Sequence, residues 1–308
     1  MRYWVGVTDD AWATYLRSIE VADEVNFWQP GGIRPITLRP GDLWVFKRHV
    51  RNGGQVIGGG YFAHWTTVTP TLAWEAFGDR NGAPTYSQFL RLVSAYRSQA
   101  FDPLTAQIGA SVLVQPFFLP PELWIPAPND WSNNLTRGKT YDSAEGEGAV
   151  LWNRLKSAMA TLDSNASAIS DHLPGGYGTP TIVRPRLGQG TFRVMITDAY
   201  ERRCSVSGER TLPVLEAAHI KPFSLVGEHE ISNGLLLRSD LHKLFDLGYV
   251  TVDPSDRRFN VSHRIKEDFQ NGRDYYALHG REVRTPQRGY PSPASEALDW
   301  HARVRFLG

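Results

Sequence analysis

Short apolar stretches, rich in aromatic and β-branched residues and bounded by turn formers, recur in the first half of the chain and predict β-strands. Strands are expected at residues 1–7, 40–49, 53–65 and 108–119, where aromatic and β-branched residues are frequent. Three consecutive glycines at 58–60 interrupt the third of these stretches. Because glycine weakens a strand, these positions predict a bulge or the close approach of another backbone or a ligand.

Other segments repeat their apolar residues at helical spacing. Helices are expected at 11–20, 86–97, 148–162, 191–203 and 235–248. The segment NFWQPGG at 26–32 is rich in turn formers and predicts a turn. Residues 249–262 predict two short strands around a Pro-Ser-Asp turn.

The composition is that of an ordinary globular protein. The 308 residues include 33 lysines and arginines against 32 aspartates and glutamates, so no overall basic field points to nucleic acid. One cysteine, Cys204, excludes a disulfide framework within the chain and a zinc site built from several cysteines. No apolar run is long enough to cross a membrane, and the first residues lack the apolar core of a signal peptide. We therefore expect a cytoplasmic protein without a membrane partner.

Four polar residues near the C-terminus have a spacing suited to phosphodiester hydrolysis. His219 ends an expected strand, Asn233 follows in a loop, and His242 and Asp246 come later on an expected helix. Residues four apart share one face of a helix, so His242 and Asp246 can both reach one divalent metal ion. His219 can then face that metal across a phosphate and, as a neutral imidazole, take a proton from water.

This order of strand histidine, loop asparagine and helix histidine, in the phrase AAHIKPF…NGLLL…DLHKLFD, resembles the HNH nuclease family, the ββα-metal finger. The resemblance covers about residues 190–265 and is closest to the branch found in bacterial restriction-type nucleases. It implies that His219 is the general base and that Asn233 holds the loop and orients this base. It also implies that His242 and Asp246 bind a divalent metal ion, which is Mg²⁺, Mn²⁺ or another transition metal.

One position departs from the family pattern. Many members carry aspartate or histidine immediately before the base as a further metal ligand, and this chain has Ala218 there. Two readings stay open: water and phosphate complete the metal shell, or Glu216 on the same strand face reaches the metal. On the expected helix, Arg238 and Lys243 either contact DNA phosphates or belong to a solvated face. His229 lies in a polar loop and is expected to be exposed.

The start of the chain, over about residues 1–150, resembles a PUA-superfamily module of the EVE kind, on the strand patterns RYWVGV, PGDLWVFK and VIGGGYF. The resemblance implies a β-barrel that binds nucleic acid and can hold a flipped, modified base in an aromatic pocket. Flipping a base costs a few kcal/mol, and stacking on aromatic side chains recovers about 1–3 kcal/mol per base. The expected pocket residues are Trp28, Asn26 and Gln29, presented by the predicted turn, with Trp44, Tyr61 and Trp124.

The two resemblances together imply an α+β protein in three parts. A PUA/EVE-like β-barrel domain with helices is expected at 1–165, a linker at 166–190 and a ββα-metal HNH domain at 191–308. Because this pairing resembles modification-dependent restriction endonucleases, we expect cleavage of double-stranded DNA that carries 5-methylcytosine or 5-hydroxymethylcytosine. A homodimer is a plausible route to a double-strand break. Two alternatives stay open: an HNH nuclease without modification preference, of the phage-defence, homing or toxin type, and a non-catalytic nucleic-acid-binding protein.

Overall fold

The structure is a computed structural model of the chain, and it describes residues 1–31, 38–97, 100–169, 188–226 and 228–308. The chain divides into two compact units, Met1–Arg186 and Leu187–Gly308. Most of the expected linker, residues 170–187, lies outside the described part of the chain.

One mixed β-sheet organises the first unit. Its strands are β1 (Arg2–Thr8), β2 (Glu24–Gln29), β3 (Leu43–Arg48), β4 (Val56–Val68), β5 (Ile108–Phe118) and β6 (Gly138–Asp142). The helices are α1 (Asp10–Ser18), α2 (Pro70–Phe77), α3 (Tyr86–Ala95) and α4 (Gly146–Ile169). The strand order is β2-β5-β4-β3-β1-β6. Strands β1 and β3 are parallel, and every other neighbouring pair is antiparallel.

The sheet is open, so the prediction of a closed β-barrel is wrong. Closure requires the two outer strands to pair, and β2 and β6 stand at opposite edges of the described sheet. Separate apolar clusters cover its two faces. A large sheet with helices on it is an α+β arrangement, and the likeness to a PUA/EVE module stays at the level of short strand patterns.

The apolar stretches that predict these strands are buried on both faces of the sheet. Tyr3 and Val45 pack in a cluster that also contains Leu155 of α4. Their neighbours Trp4 and Trp44 point the other way, into a cluster that contains residues of α1. Successive side chains of a strand point to opposite faces, so a strand that is buried on both sides carries large apolar residues at every position.

The three glycines of β4 lie where the sheet is irregular, which confirms the predicted bulge. The register of β4 against β5 shifts between Gly59 and Tyr61. Gly58 has a φ of 156°, and a Cβ atom there would lie 2.1 Å from the carbonyl oxygen of Phe117. The close approach of this neighbouring backbone excludes any side chain at position 58.

Two local expectations in the first unit need correction, and two elements were not predicted. The predicted turn at 26–32 is largely strand β2, because these residues pair with β5. Helix α2 and strand β6 lie in segments without a sequence prediction. Helix α4 begins near the expected position but continues to Ile169, beyond the expected end of the first domain at 165.

The second unit is built from two small hairpins and surrounding helices. Its strands are β7 (Leu215–His219), β8 (Gly234–Arg238), β9 (Val250–Val252) and β10 (Phe259–Val261). Its helices are α5 (Gln189–Ala199), α6 (Phe223–Val226), α7 (Ser239–Asp246), α8 (Arg264–Phe269), α9 (Arg273–Tyr276) and α10 (Ser295–Trp300). Pairs β7–β8 and β9–β10 are both antiparallel, and the second confirms the prediction for 249–262.

The predicted helix at 235–248 is strand β8 followed directly by helix α7. Residues Leu235, Leu236 and Leu237 are fully buried and pair with β7. A short apolar run of this kind has no period that separates a buried strand from a buried helix. The resulting order β7, β8, α7 is a ββα unit, and Phe192, Cys204 and Phe245 lie in its apolar core. No helix in the described ranges is long and apolar enough to cross a membrane.

Candidate active site

The β7–β8 hairpin places His219 and Asn233 side by side. His219 is the last residue of β7, and it pairs with Gly234, the first residue of β8. Asn233 is 5% exposed, and its side chain binds the backbone of Lys221 twice. Its Oδ1 accepts from the Lys221 N–H at 2.8 Å, and its Nδ2 donates to the Lys221 carbonyl at 2.9 Å. These bonds fix the backbone immediately after His219.

Aromatic rings and imidazoles surround the His219 side chain. Its ring stacks on Phe192 with the centroids 4.1 Å apart and the planes 9° from parallel. Its Nε2 lies 2.9 Å from Nδ1 of His229. Burial, followed by the nearby imidazoles of His229 and His242, lowers the pKa of His219 to about 4. The imidazole is therefore neutral at neutral pH and can accept a proton.

His242 lies on α7 between two carboxylates. Its Nδ1 is 2.6 Å from Oε2 of Glu216, and its Nε2 is 3.5 Å from Oδ2 of Asp246. A carboxylate oxygen accepts the Nδ1–H of His242 in this short contact, so in the neutral imidazole the Nε2 lone pair faces Asp246. Two electron-rich atoms at that separation repel each other unless a proton or a cation lies between them.

A cavity of about 380 Å³ joins these residues. Its walls include His219, His242, Asp246 and Arg305. Glu216 is not among the described residues that line it, and neither is Asn233. The His219 imidazole, the His242–Asp246 pair and the Arg305 guanidinium thus face the same space.

The donor set fits a divalent cation with two protein ligands. Imidazole nitrogen and carboxylate oxygen are ligands of Mn²⁺, Zn²⁺ and similar ions, and open positions remain for water and phosphate. Among the described residues, no group of three histidines, cysteines or acidic residues is placed to hold a metal ion. Glu216 contacts Nδ1, on the side of His242 away from the cavity, and this accounts for the absence of a third donor. Position 218, where the family pattern has a ligand, is a fully buried alanine.

The two residues expected to contact phosphate lie outside this cavity. Arg238 forms two hydrogen bonds with Asp240, at 2.6 and 2.8 Å. Lys243 is exposed on α7. The structure instead brings Arg305 to the cavity. Arg305 lies about 40 residues after the end of the segment that resembles the HNH family. The local sequence carries no signal for this placement, because it depends on how the C-terminal segment folds back.

His229 was expected to be exposed, and the structure places it half-buried against His219. Its ring stacks on Phe223 with the centroids 4.2 Å apart. The polar residues around His229 predict exposure, whereas its contact with His219 joins two sides of the loop. A second histidine between the strand histidine and the loop asparagine was the sequence feature that could have indicated this contact.

The first unit contains a cavity of about 510 Å³ beside one end of its sheet, and two of the six expected pocket residues line it. These are Trp28 and Gln29, which lie near Trp12, Arg51 and Arg137. The Trp28 indole N–H donates to the carbonyl of Asn81 at 3.0 Å, so the ring has a fixed orientation.

The other four expected pocket residues lie elsewhere. Asn26 and Trp44 are fully buried, because strand β2 replaces the expected turn and Trp44 faces the core. The Asn26 amide donates to Asn81 at 2.8 Å. Tyr61 packs against the cluster on the α4 side of the sheet. The Trp124 indole donates to a backbone carbonyl five residues earlier, and the guanidinium of Arg48 lies 4.7 Å from its ring centroid.

Comparison with known proteins agrees with the geometry of the second unit. Residues 204–253 match the family described as HNH endonuclease. No curated protein matches the chain. Among solved structures, the chain is similar to a protein described as a modification-dependent TagI restriction endonuclease. The match has 15% sequence identity and a TM-score of 0.26, and it covers 94% of this chain and 77% of the other. The matched segment includes His219, Asn233, His242 and Asp246, so residues 204–253 are an HNH endonuclease domain and the protein is a nuclease.

Proposed function

We propose that the protein is a metal-dependent DNA endonuclease that cuts DNA carrying a modified base, with a modified cytosine as its substrate. The observation that carries the nuclease part is the shared cavity of the second unit. There, an uncharged histidine and an imidazole–carboxylate pair face the same space, beside a guanidinium. This combination suits the hydrolysis of a phosphodiester.

Each residue has one part in the proposed chemistry. His219 accepts a proton from the water that attacks the phosphorus atom. A divalent cation held by His242 and Asp246 would supply positive charge to the scissile phosphate and the leaving oxygen. Glu216 accepts the Nδ1–H of His242 and so keeps Nε2 directed at the cavity, as carboxylates do behind ligating histidines. Asn233 keeps the strand end and the following loop in place.

The cavity of the first unit supports the recognition of a modified base. Its volume lies in the range of small-molecule sites, about 300–1,000 Å³. Trp28 offers a fixed indole, with edge contacts to Phe89 and Tyr96 at 5.7 and 6.2 Å, and Gln29 offers amide groups for a base edge. Arg51 and Arg137 line the same cavity, and both are exposed, where DNA phosphates could reach them.

The catalytic assignment is tested with a plasmid cleavage assay in Mg²⁺ and, separately, in Mn²⁺. His219→Ala should abolish cutting and leave DNA binding intact, because it removes the proton acceptor and leaves the DNA-facing charge. His263→Ala is the matched control, since His263 is an exposed histidine of the same unit with side-chain exposure of 64%. Full activity of the His219→Ala variant would refute the assignment of the base.

The recognition assignment is tested with matched duplexes that carry cytosine, 5-methylcytosine or 5-hydroxymethylcytosine. The wild type should cut one modified duplex in preference, and Trp28→Ala should cut all three at a similar low rate. Tyr61→Ala is the control, because Tyr61 packs on the opposite side of the sheet from the Trp28 cavity. Equal cutting of all three duplexes by the wild type would identify a nuclease without modification preference. No cutting of any duplex would favour a non-catalytic binding protein.

The proposal includes a dimer on DNA. One site of this kind hydrolyses one strand, so a double-strand break needs two sites. Light scattering of the protein with cleavable duplex should then give the mass of two chains plus one duplex. A nicked product from a monomer would remove the dimer from the proposal and leave the chemistry of each site unchanged.

A further inference from the structure

His229 has a fixed position beside the proposed base. Its Nδ1 lies 2.9 Å from Nε2 of His219. Its ring stacks on Phe223 at 4.2 Å with the planes 17° apart, and it lies 5.6 Å from the ring of Phe192. Aromatic contacts on two sides therefore hold the imidazole in the orientation that directs Nδ1 at His219.

The contact between the two nitrogens contains a single proton, so one imidazole donates and the other accepts. If His229 donated, the remaining hydrogen of His219 would sit on Nδ1, and His219 would have no free lone pair. If His219 donates through Nε2–H, its Nδ1 keeps a lone pair. The second tautomer alone is compatible with His219 as a base.

We propose that His229 is a positioning residue that accepts the Nε2–H of His219 and thereby makes Nδ1 the atom that takes the proton from water. This inference rests on the proposed function of His219. In the step, an O–H bond of water breaks, an N–H bond forms at Nδ1, and the water oxygen bonds to phosphorus. The P–O bond to the leaving oxygen breaks, and that oxygen takes a proton from solvent. The His229 lone pair stabilises the imidazolium of His219, because a hydrogen bond from a charged donor is stronger than one from a neutral donor.

The surroundings of the pair agree with two neutral imidazoles. Burial lowers the pKa of His229, and the pKa of His219 falls to about 4. The titratable groups that act on His219 are His229 from the loop and His242 from α7. Among the described residues, no carboxylate acts on His219 in the same way, so the imidazole of His229 takes the place that an acidic residue occupies beside many catalytic histidines.

Three replacements of His229 distinguish its role as a hydrogen-bond acceptor from the stacking contact of its ring. His229→Phe keeps the stacking on Phe223 and removes the acceptor, so kcat should fall about tenfold to a hundredfold with KM unchanged. His229→Asn places an amide oxygen near the position of Nδ1 and should retain kcat within about threefold. His229→Asp places a carboxylate beside the imidazolium and should move the acid limb of the kcat profile to higher pH.

The readout that does not require cleavage is the tautomer of His219, measured by ¹⁵N NMR of the intact protein. The wild type and His229→Asn should show the proton on Nε2, and His229→Phe should show a mixture of tautomers. A proton on Nδ1 of His219 in the wild type would overturn the inference, as would equal losses of kcat in the Phe and Asn variants. If the wild type cuts no DNA, the proposed function fails, and the NMR result still decides whether His229 sets the tautomer.

Discussion

Buried His301 should make the stability of the second unit depend on pH. The side chain is 2% exposed and stacks on Phe245 with the centroids 3.7 Å apart. Its Nε2–H donates to the Phe245 carbonyl at 3.0 Å, and its Nδ1 accepts from the Thr251 hydroxyl at 2.8 Å. Both nitrogens of the neutral ring are thus paired, and burial lowers the pKa from 6.5 to about 4.

The sign and size of the effect follow from this pKa difference. The unfolded state binds a proton below a pH of about 6.5, and the folded state does so only near pH 4, so acid favours unfolding. The stabilisation is complete above pH 6.5 and is lost as the pH falls toward 4. At one pKa unit per 1.36 kcal/mol, the full loss is about 3 kcal/mol, and the loss between pH 7.5 and 5 is about 2 kcal/mol.

The lone cysteine provides an assay specific to this unit. Cys204 is fully buried in the core of the second unit, so a pulse of dithiodipyridine along a urea titration labels it only where that unit has unfolded. The comparison protein is His301→Phe, which keeps the stacking and removes the titration. The variant should have the lower free energy of unfolding at pH 7.5. The difference between the two unfolding free energies should shrink by about 2 kcal/mol at pH 5, because only the wild type loses stability through His301. His219 titrates in both proteins, so its contribution to the pH dependence cancels in the difference. A difference in unfolding free energy that is the same at both pH values would refute the reasoning.

Three further replacements test other contacts. Asn233→Ala leaves the half-buried N–H and carbonyl of Lys221 without their side-chain partner, and the same Cys204 assay should show that the free energy of unfolding falls by about 1–3 kcal/mol. A fall below about 1 kcal/mol would show that water replaces the side chain. Glu216→Gln removes the carboxylate behind His242 and should weaken Mn²⁺ binding by about 10–100-fold in calorimetry, whereas unchanged affinity would contradict the orienting role. Gly58→Ala puts a Cβ atom against a backbone carbonyl, so its thermal midpoint should fall clearly below the wild-type value; an equal midpoint would mean that β4 and β5 separate easily.

The local sequence pattern predicts an element correctly where a single period dominates. It fails where pairing with a distant strand determines whether a segment is a strand, a turn or a helix. Residues 43–48 alternate over two buried faces, and they form β3 as expected. Residues 26–29 carry turn formers nearby, but their pairing with β5 makes them a strand. At 235–238, three consecutive leucines are compatible with a helix or a strand, and the hairpin with β7 selects the strand.

The candidate site divides in the same way. The sequence predicts His219 at the end of a strand and Asn233 in the loop that follows, whereas the strand that pairs with β7 directly after Asn233 was predicted as part of a helix. Arg305 reaches the cavity, and His229 reaches the proposed base, only through tertiary contacts. Their approach depends on the packing of a C-terminal turn and on ring stacking across a loop. For the pocket of the first unit, aromatic composition cannot separate Trp28 in a cavity wall from Trp44 in the core.

Two of the histidines that line the cavity illustrate how one residue type takes two roles through its neighbours. His219 faces aromatic rings and His229, so its charged form is disfavoured and its lone pair is available for a proton. His242 faces Glu216 and Asp246, so negative charge surrounds it on both sides and attracts a cation. If the two environments were exchanged, the carboxylates would attract a cation to His219, and His242 would lack the negative charge that holds a metal ion. The opposite surroundings of His219 and His242 therefore support the division of the site into a proton acceptor and a metal-binding pair.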